Sequence, residues 1–224
     1  AISNDGTIVA GSAPTNDESA YDSGEVRIFE YDGSTWTQLG QDLTGAVNDQ
    51  LTEVQLSADG TIVAFGTSRN YGGTDTVKVY QYDGSTTWNL LDTALDNTAA
   101  YDNWGHSIGL SALGDVLVVG GYSHDGSKGH VQIFEYSGGA WTQMGLDLDG
   151  EDANDEFGIH VDISADGSLI AVGAKKHNVN GNSVGSVYTY QWNGATWQLL
   201  GEIEGVGFID SATSHGQELS LSDD

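Results

Sequence analysis

The chain has 224 residues, enough for one domain with a buried core, and it contains no cysteine, which excludes a disulfide framework and thiol chemistry. Aspartate and glutamate number 33 against 6 lysines and arginines, so the formal net charge is −27. Because nucleic acids and anionic membranes are bound through lysine and arginine, this charge argues against both as partners, and no apolar run is long enough for membrane insertion within this segment.

A short turn motif that begins with serine recurs along the whole chain. The serines stand at Ser3, Ser57, Ser111, Ser164 and Ser222. The spacing of about 53 to 58 residues is typical of propeller blades or of long solenoid turns. The chain is therefore divided into repeats at approximately 1–53, 54–107, 108–160 and 161–218, with the start of a further repeat at 219–224.

Each repeat predicts four strands, named A to D in chain order. In the second repeat, strand A is 54–57, the turn is Asp59-Gly60, strand B is 61–66, strand C is 77–82, and strand D begins at Trp88. Aspartate followed by glycine tolerates the positive φ angles of a tight hairpin, so A and B are expected to pair antiparallel. The equivalent segments are 108–111, 161–164 and 219–222 for A; 7–11, 115–120 and 168–173 for B; 26–31, 131–136 and 187–192 for C; and Trp36, Trp141 and Trp197 for D.

These strands predict an all-β protein, a β-propeller built of four-stranded antiparallel blades. Strand C is apolar on both faces, which indicates that each sheet is packed between two others. The tryptophans of strand D are assigned to this packing. About four blades are expected, and the repeated half-hairpin at 219–224 favours a part of a larger propeller or repeat array. A β-solenoid is the alternative.

Residues 157–174 carry the pair Phe157-Gly158 and, after the turn, the apolar run LIAVGA at 169–174. This pattern resembles the FG-GAP repeat of integrin α-subunit propellers, and Trp104-Gly105 is a variant of the pair. The resemblance covers the chain in register, although Leu51-Thr52 retains neither residue. Weaker likenesses to kelch and Asp-box propellers concern the same fold. The resemblance implies a propeller that binds ligands through the loops of one rim.

Calcium-binding members of that family carry D-x-D-x-D-G-x-x-D between strands A and B, whereas the turns here are shorter and hold one acid. Calcium takes six or more oxygen ligands, so the family's calcium site is not expected here. The acidic loop 147–156 could hold a divalent cation weakly, or it is simply a solvated loop. No other cofactor is expected, and the identity of any metal ligands stays open.

The loops between strands B and C, and between D and the next A, are expected on one rim. Tyr21, Tyr71 and Tyr122 recur in the B–C loops, and Trp104 stands near the same rim. Exposed aromatic rings beside polar residues suit contacts with carbohydrate or protein. These four residues are the predicted ligand-binding residues, with packing over the blade edges as the alternative.

Titratable residues recur near strand A, around the mouth of the expected channel. The histidines are His106, His160 and His215, and the carboxylates are Glu53, Asp162 and Glu218. Zinc would require three or four ligands at one point, and a glycosidase would require two carboxyls flanking one bond. Since no pair is distinguished by spacing, no catalytic residue is predicted.

The sequence thus predicts a non-enzymatic binding or scaffolding propeller of a secreted or cell-surface protein. Its partners would be a protein or glycan ligand, or further copies of itself. The alternatives are a structural repeat protein that assembles into a filament or an extracellular layer, and a glycan-acting propeller enzyme.

Overall fold

The computed structural model describes residues 1–18, 20–69, 75–96, 101–179, 182–205 and 219–222. These residues form four antiparallel sheets of four or five strands, which follow one another along the chain, and one additional two-stranded hairpin. Within this part of the chain, no helix combines the length and the apolar composition that crossing a membrane requires.

The first and second sheets share the order of strands B, C and D, and the second has strand A in addition. The first comprises β1 (Ile8–Ala13), β2 (Glu25–Tyr31), β3 (Trp36–Gln38) and β4 (Leu43–Thr44). The second comprises β5 (Asp49–Leu56), β6 (Ile62–Arg69), β7 (Thr76–Tyr82), β8 (Trp88–Leu90) and β9 (Leu95–Asp96). In each sheet, strand C is internal, and it pairs with strand B on one side and with two short segments on the other.

The third and fourth sheets repeat this arrangement. The third comprises β10 (Trp104–Leu110), β11 (Val116–Gly121), β12 (His130–Ser137), β13 (Ala140–Gln143) and β14 (Leu148–Asp149), with one helical turn, α1 (His124–Ser127), before β12. The fourth comprises β15 (Phe157–Ile163), β16 (Leu169–Ala174), β19 (Ser186–Trp192) and β20 (Trp197–Glu204), and the hairpin of β17 (Asn178–Val179) and β18 (Asn182–Ser183) lies between β16 and β19. The predicted all-β fold of antiparallel blades is confirmed.

The repeat boundaries and the last predicted strand differ from the expectation. The repeat limits at 53/54, 107/108 and 160/161 fall inside β5, β10 and β15, because the serine motif marks the end of strand A and the strand begins several residues earlier. Residues 219–222, predicted as a strand, form none in the structure. The Leu221 backbone N–H instead donates a hydrogen bond to the Asp162 Oδ2 atom, 2.7 Å away.

The apolar core lies between successive blades, as expected for strands that are apolar on both faces. Three clusters of buried side chains fill the three spaces. Representative members are Ile28 and Phe65 between the first and second blades, Val79 and Ile108 between the second and third, and Ile133 and Ile170 between the third and fourth. Burying each such side chain contributes about 1.5–3 kcal/mol, so the stack of blades is the main source of stability.

Two of the strand D tryptophans donate an indole hydrogen bond to the blade before their own. The Trp88 indole Nε1 donates to the Leu39 carbonyl oxygen at 2.8 Å, and the Trp197 Nε1 donates to the Met144 carbonyl oxygen at 3.0 Å. Trp88, Trp141 and Trp197 are buried, which confirms their predicted role in packing. Trp36 is 46% exposed, since none of the described blades packs against its side of the first sheet.

The turns between strands A and B are also linked from blade to blade. The Asn4 N–H donates to the Ala58 carbonyl oxygen, the Ala58 N–H to that of Ala112, and the Ala112 N–H to that of Ala165, at 2.9 to 3.0 Å. Within the second turn, the Asp59 Oδ1 atom accepts hydrogen bonds from the Ser57 hydroxyl and the Thr61 N–H. The one acid of this turn is therefore engaged in holding the turn itself.

Candidate functional site

Strand A of the second, third and fourth blades lines the centre of the stack. The Glu53 Oε2 atom accepts a hydrogen bond from the Ile108 N–H at 2.9 Å, and the Ser107 hydroxyl oxygen accepts one from the Val161 N–H at 3.1 Å. Glu53, Ser107 and His160 occupy the same position, four residues before the repeated serine. The repeat therefore places their side chains in successive blades at one level.

Two cavities open along these strands. The rim cavity, of about 480 Å³, lies at the start of the strands and is lined by Gln50, Leu51, Thr52, Glu53, His106 and His160. The turn cavity, of about 400 Å³, lies toward the A–B turns, and its walls include Gln55, Ala58, Ala112 and Asp162. Glu53 and His160 line both cavities, so the two spaces meet at these side chains.

The rim cavity brings together two groups with displaced pKa values. Burial raises the pKa of the Glu53 carboxyl, although the hydrogen bond from the Ile108 N–H opposes this effect. Burial, together with the nearby His160, lowers the pKa of His106. A carboxyl and an imidazole perturbed in opposite directions in one cavity are typical of functional sites.

The titratable residues singled out from the sequence divide between the two cavities. Glu53, His106 and His160 meet in the rim cavity, whereas Asp162 lies in the turn cavity. His215 and Glu218 lie outside the described residues. The sequence placed these residues near strand A without pairing them. Glu53 and His160 share the position four residues before the repeated serine, which is a signal that could have paired them, whereas His106 stands five residues before Ser111.

The acidic loop 147–156 engages separate partners. The Asp147 Oδ1 atom accepts from the amides of Gln132 and Gln143, and Glu156 pairs with Lys176 at 2.5 Å. Within the described part of the chain, no three acids of this loop converge on one point. Three other acids do converge, Glu18, Glu25 and Asp42, but they surround the Arg27 guanidinium.

A third cluster of possible metal ligands joins Asp102, His124 and His130 at the rim of the third blade. The His124 Nδ1 atom lies 2.8 Å from the Asp102 Oδ2 atom, and the rings of His124 and His130 stack with their centroids 4.1 Å apart. Sequence reasoning did not select these residues, because their spacing follows no known motif.

Comparison with protein-family models decides the type of repeat. Residues 146–190 match the model described as the FG-GAP repeat. This segment is an FG-GAP repeat. The match covers this one repeat, and the described residues on both sides of it form the other antiparallel blades of the propeller fold.

The structure explains what the FG pair of the FG-GAP repeat does. Gly158 has a φ angle of 83°, a left-handed conformation that favours glycine. Its backbone lies directly against Gly120 of the preceding blade, and the Phe157 ring is buried in the core between the two blades. Trp104-Gly105 repeats this geometry against Gly66 of the second blade.

This geometry corrects one predicted ligand-binding residue. Trp104 was expected as a rim aromatic available to a ligand, but it is 1% exposed. The reason is that Trp104 takes the place of the phenylalanine in the FG pair, so its indole fills the core and meets the Phe134 ring edge-on at 6.2 Å.

The other predicted aromatic residues have different environments. Tyr21 is 63% exposed, and Tyr122 is half-buried with its ring edge-on to His106 at 5.0 Å. Tyr71 lies outside the described residues. Tyr101, 68% exposed in a D–A loop, was missed although it meets the same criterion of an aromatic residue beside aspartate.

No curated protein sequence matches the chain. Among solved structures, a putative 6-phosphogluconolactonase from Bacteroides uniformis has a TM-score of 0.58 at 17% identity, covering 96% of this chain and 57% of that one. A periplasmic gluconolactonase from Pseudomonas aeruginosa has a TM-score of 0.57 at 17% identity, with 93% and 57% covered. The β-propeller domain of the Trilobed protease from Pyrococcus furiosus has a TM-score of 0.54 at 14% identity, with 90% and 55% covered.

These likenesses concern the fold. This chain spans just over half the length of each of the three structures. Since propellers host both enzymes and binding proteins, the fold alone does not assign an activity.

Proposed function

We propose that this chain is a non-enzymatic binding propeller of a secreted or cell-surface protein, and that it holds a polar group of a glycan or protein ligand in the rim cavity. One observation carries the proposal: Glu53, His106 and His160 come from three successive blades and line one cavity of about 480 Å³. A ligand seated there would contact three blades at once. The packed stack of blades, rather than a single loop, would therefore fix its position.

The side chains of the rim cavity suit hydroxyl and amide groups. Gln50 offers an amide, and the Thr52 hydroxyl, which donates its proton to the Gly105 carbonyl oxygen, can accept a hydrogen bond. The carboxyl and the imidazoles can accept or donate hydrogen bonds. The Tyr122 ring, edge-on to His106, adds an aromatic surface beside them. The net charge of −27 favours neutral or cationic ligands over anionic ones.

A glycan-acting enzyme is the second candidate. The raised pKa of Glu53 would suit a general acid, and two of the similar folds are gluconolactonases by description. A glycosidase needs two carboxyls about 5–10 Å apart across the scissile bond. The second channel carboxylate, Asp162, lines the turn cavity and not the rim cavity, and its two oxygens accept hydrogen bonds from the N–H groups of Ile163 and Leu221. The rim cavity therefore holds one carboxyl, that of Glu53, among its lining residues. Binding is therefore the better supported function.

Glycan and peptide arrays probed with the wild-type chain and with Glu53→Gln test the proposal. Retention on a positive spot is expected to fall about tenfold or more in Glu53→Gln, because a hydrogen bond to a charged group contributes about 1.5–3 kcal/mol. Glutamine keeps an oxygen for the Ile108 N–H, and its amide nitrogen can donate to the Gln55 side-chain oxygen once that amide turns over, so the fold is preserved.

Glu30→Gln is the matched control, since Glu30 is an exposed strand C residue away from the cavity. Equal retention by wild type and Glu53→Gln would contradict a site at the rim cavity. Release of a cleaved glycan by wild type, and not by Glu53→Gln, would instead establish the enzyme.

A further inference from the structure

Asp102, His124 and His130 form a compact group at the rim of the third blade, here named the Asp–His–His cluster. Asp102 stands just before β10, His124 lies in α1, and His130 begins β12. One possible ligand atom from each residue lies within 4.8 Å of the other two. Three separate segments of the blade thus bring metal-binding groups to one place.

His130 is the unusual member of the cluster. It is 3% exposed, and neither of its ring nitrogens has a hydrogen-bond partner among the described residues. Buried imidazole nitrogens are normally paired. The ring occupies space that Gly121 provides, since a Cβ atom at Gly121 would lie 2.5 Å from the His130 Nε2 atom. The blade therefore accommodates an imidazole whose polar atoms are not used by the protein.

We propose that the Asp–His–His cluster binds a divalent transition-metal ion, of which Zn²⁺ fits best. Zinc takes three or four histidine and carboxylate ligands at about 2.0–2.2 Å, whereas calcium requires six or more oxygens. A fourth ligand is at hand, because the Asp147 Oδ2 atom lies 3.9 Å from the His130 Nδ1 atom.

Metal binding requires a small rearrangement. The two imidazole rings stack at an interplanar angle of 7°, so their nitrogens do not yet point to a common centre. His130 is fixed by its burial, but His124 lies on a short exposed turn with its side chain 35% exposed. Rotation of the His124 ring would bring its nitrogen toward the ion, and the ion would then tie the B–C loop to β12.

The fourth blade provides an internal comparison. Asp155 and His177 form the same pair, with 2.8 Å between Oδ2 and Nδ1. Ser186 takes the place of His130, as shown by its pairing with Ala174 where His130 pairs with Gly121. The His177 Nε2 atom lies 3.5 Å from a Glu202 carboxylate oxygen, so the two ring nitrogens of His177 face two different carboxylates. Among the described residues, no second imidazole lies beside His177. The aspartate–histidine pair alone is thus a recurring structural contact, and His130 makes the third blade different.

Isothermal titration of chelator-treated protein with ZnCl₂, in excess CaCl₂ to saturate exposed carboxylates, tests the proposal. One Zn²⁺ per chain is expected. His130→Ser, which installs the residue of the fourth blade, should weaken Zn²⁺ binding at least about 100-fold, because even the loss of a group supporting a ligand costs 10–100-fold. His177→Gln is the matched control and should bind as wild type does.

His124→Gln guards against misfolding of His130→Ser, since His124 lies on the exposed turn, and circular dichroism checks both variants. Loss of the tight site in both variants, with retention in His177→Gln, would establish the site. Wild-type affinity in His124→Gln and His130→Ser, equal loss in His177→Gln, or no tight Zn²⁺ binding to the wild-type chain would overturn it.

Discussion

At the scale of single residues, Asp32 and Asp83 close the hairpins between strands C and D. The Asp32 Oδ1 atom accepts hydrogen bonds from the N–H groups of Ser34 and Thr35, each at 2.8 Å. The Asp83 Oδ1 atom accepts from three successive N–H groups, of which Thr87 has the largest effect on its pKa. In the fourth blade, the Asn193 side-chain oxygen makes the same kind of turn without a charge.

These bonds predict an acid-sensitive contribution to stability. The backbone N–H groups, that of Thr35 first for Asp32, lower the pKa of each carboxyl from 3.8 to about 2. Because the folded-state pKa is depressed, this stabilisation is present above pH of about 4 and is lost as the pH falls toward 2. The double variant Asp32→Asn, Asp83→Asn, which copies the uncharged turn of Asn193, should show a shallower loss of unfolding free energy over this range, as measured by urea unfolding.

Carbon-13 NMR titration of the Asp32 and Asp83 carboxyls provides the direct measurement. Midpoints near the ordinary value of 3.8 would contradict the prediction. Equal pH dependence of wild type and double variant between pH of about 4 and about 2 would do so as well.

At the scale of the strand, the FG pair sets how closely two blades approach. Gly120 in β11 packs against the Gly158 carbonyl of β15, and Gly66 in β6 packs in the same way against that of Gly105 in β10. Both Gly105 and Gly158 lie where the pairing of strand A with strand B is irregular. Each of these two contacts between blades therefore combines a β-bulge in strand A with a glycine, which has no side chain, in strand B of the preceding blade.

The substitution Gly120→Ala should destabilise the chain. A Cβ atom at this position would collide with the Gly158 carbonyl oxygen, which cannot move without disturbing the bulge, so the expected cost is about 1–3 kcal/mol. Gly11→Ala is the control, because Gly11 in β1 has open space around its Cβ position. It should be neutral or stabilise by up to about 1 kcal/mol through the unfolded state. Chemical unfolding of both variants checks the signs, and destabilisation by Gly11→Ala equal to that by Gly120→Ala would refute the role of the close approach.

At the scale of the whole molecule, the net charge of −27 opposes compaction. Exposed Glu30 and Glu135 occupy the strand C position where the other two blades have exposed Gln81 and Gln191. Glutamine is therefore a neutral residue that this strand C position accommodates.

The double variant Glu30→Gln, Glu135→Gln should raise the melting temperature by up to a few degrees at about 0.01 M NaCl, because it relieves repulsion. Its advantage should shrink at about 1 M NaCl, where the Debye length falls from about 30 Å to about 3 Å. Differential scanning calorimetry at both salt concentrations measures the melting temperatures. An increase that is the same at both concentrations would indicate that the higher strand propensity of glutamine, and not relief of charge repulsion, stabilises the double variant.

The fold could be predicted well because its signals are local and repeated. The Asp59-Gly60 turn and the apolar strand around Val79 need only neighbouring residues to specify a hairpin. The burial of Trp104 could not be read in the same way, since its exposure depends on which blade lies opposite. The convergence of Glu53, His106 and His160 likewise depends on the angle between blades. The burial of His130 depends on the space that Gly121 leaves for its ring.

The indole contacts give the row of blades a polarity. Trp88 and Trp197 each donate to a backbone carbonyl of the preceding blade, so the donor side of the second and fourth blades faces the acceptor side of the blade before. Trp36, on the donor side of the first blade, is exposed. Leu200 corresponds in the repeat to the acceptor residues Leu39 and Met144, and it is 58% exposed on the acceptor side of the fourth blade. Two identical faces brought together by a two-fold axis would set indole against indole and leave both without a carbonyl. The geometry of this row therefore suits head-to-tail packing of a further blade of the same kind and disfavours two-fold symmetric pairing of identical faces.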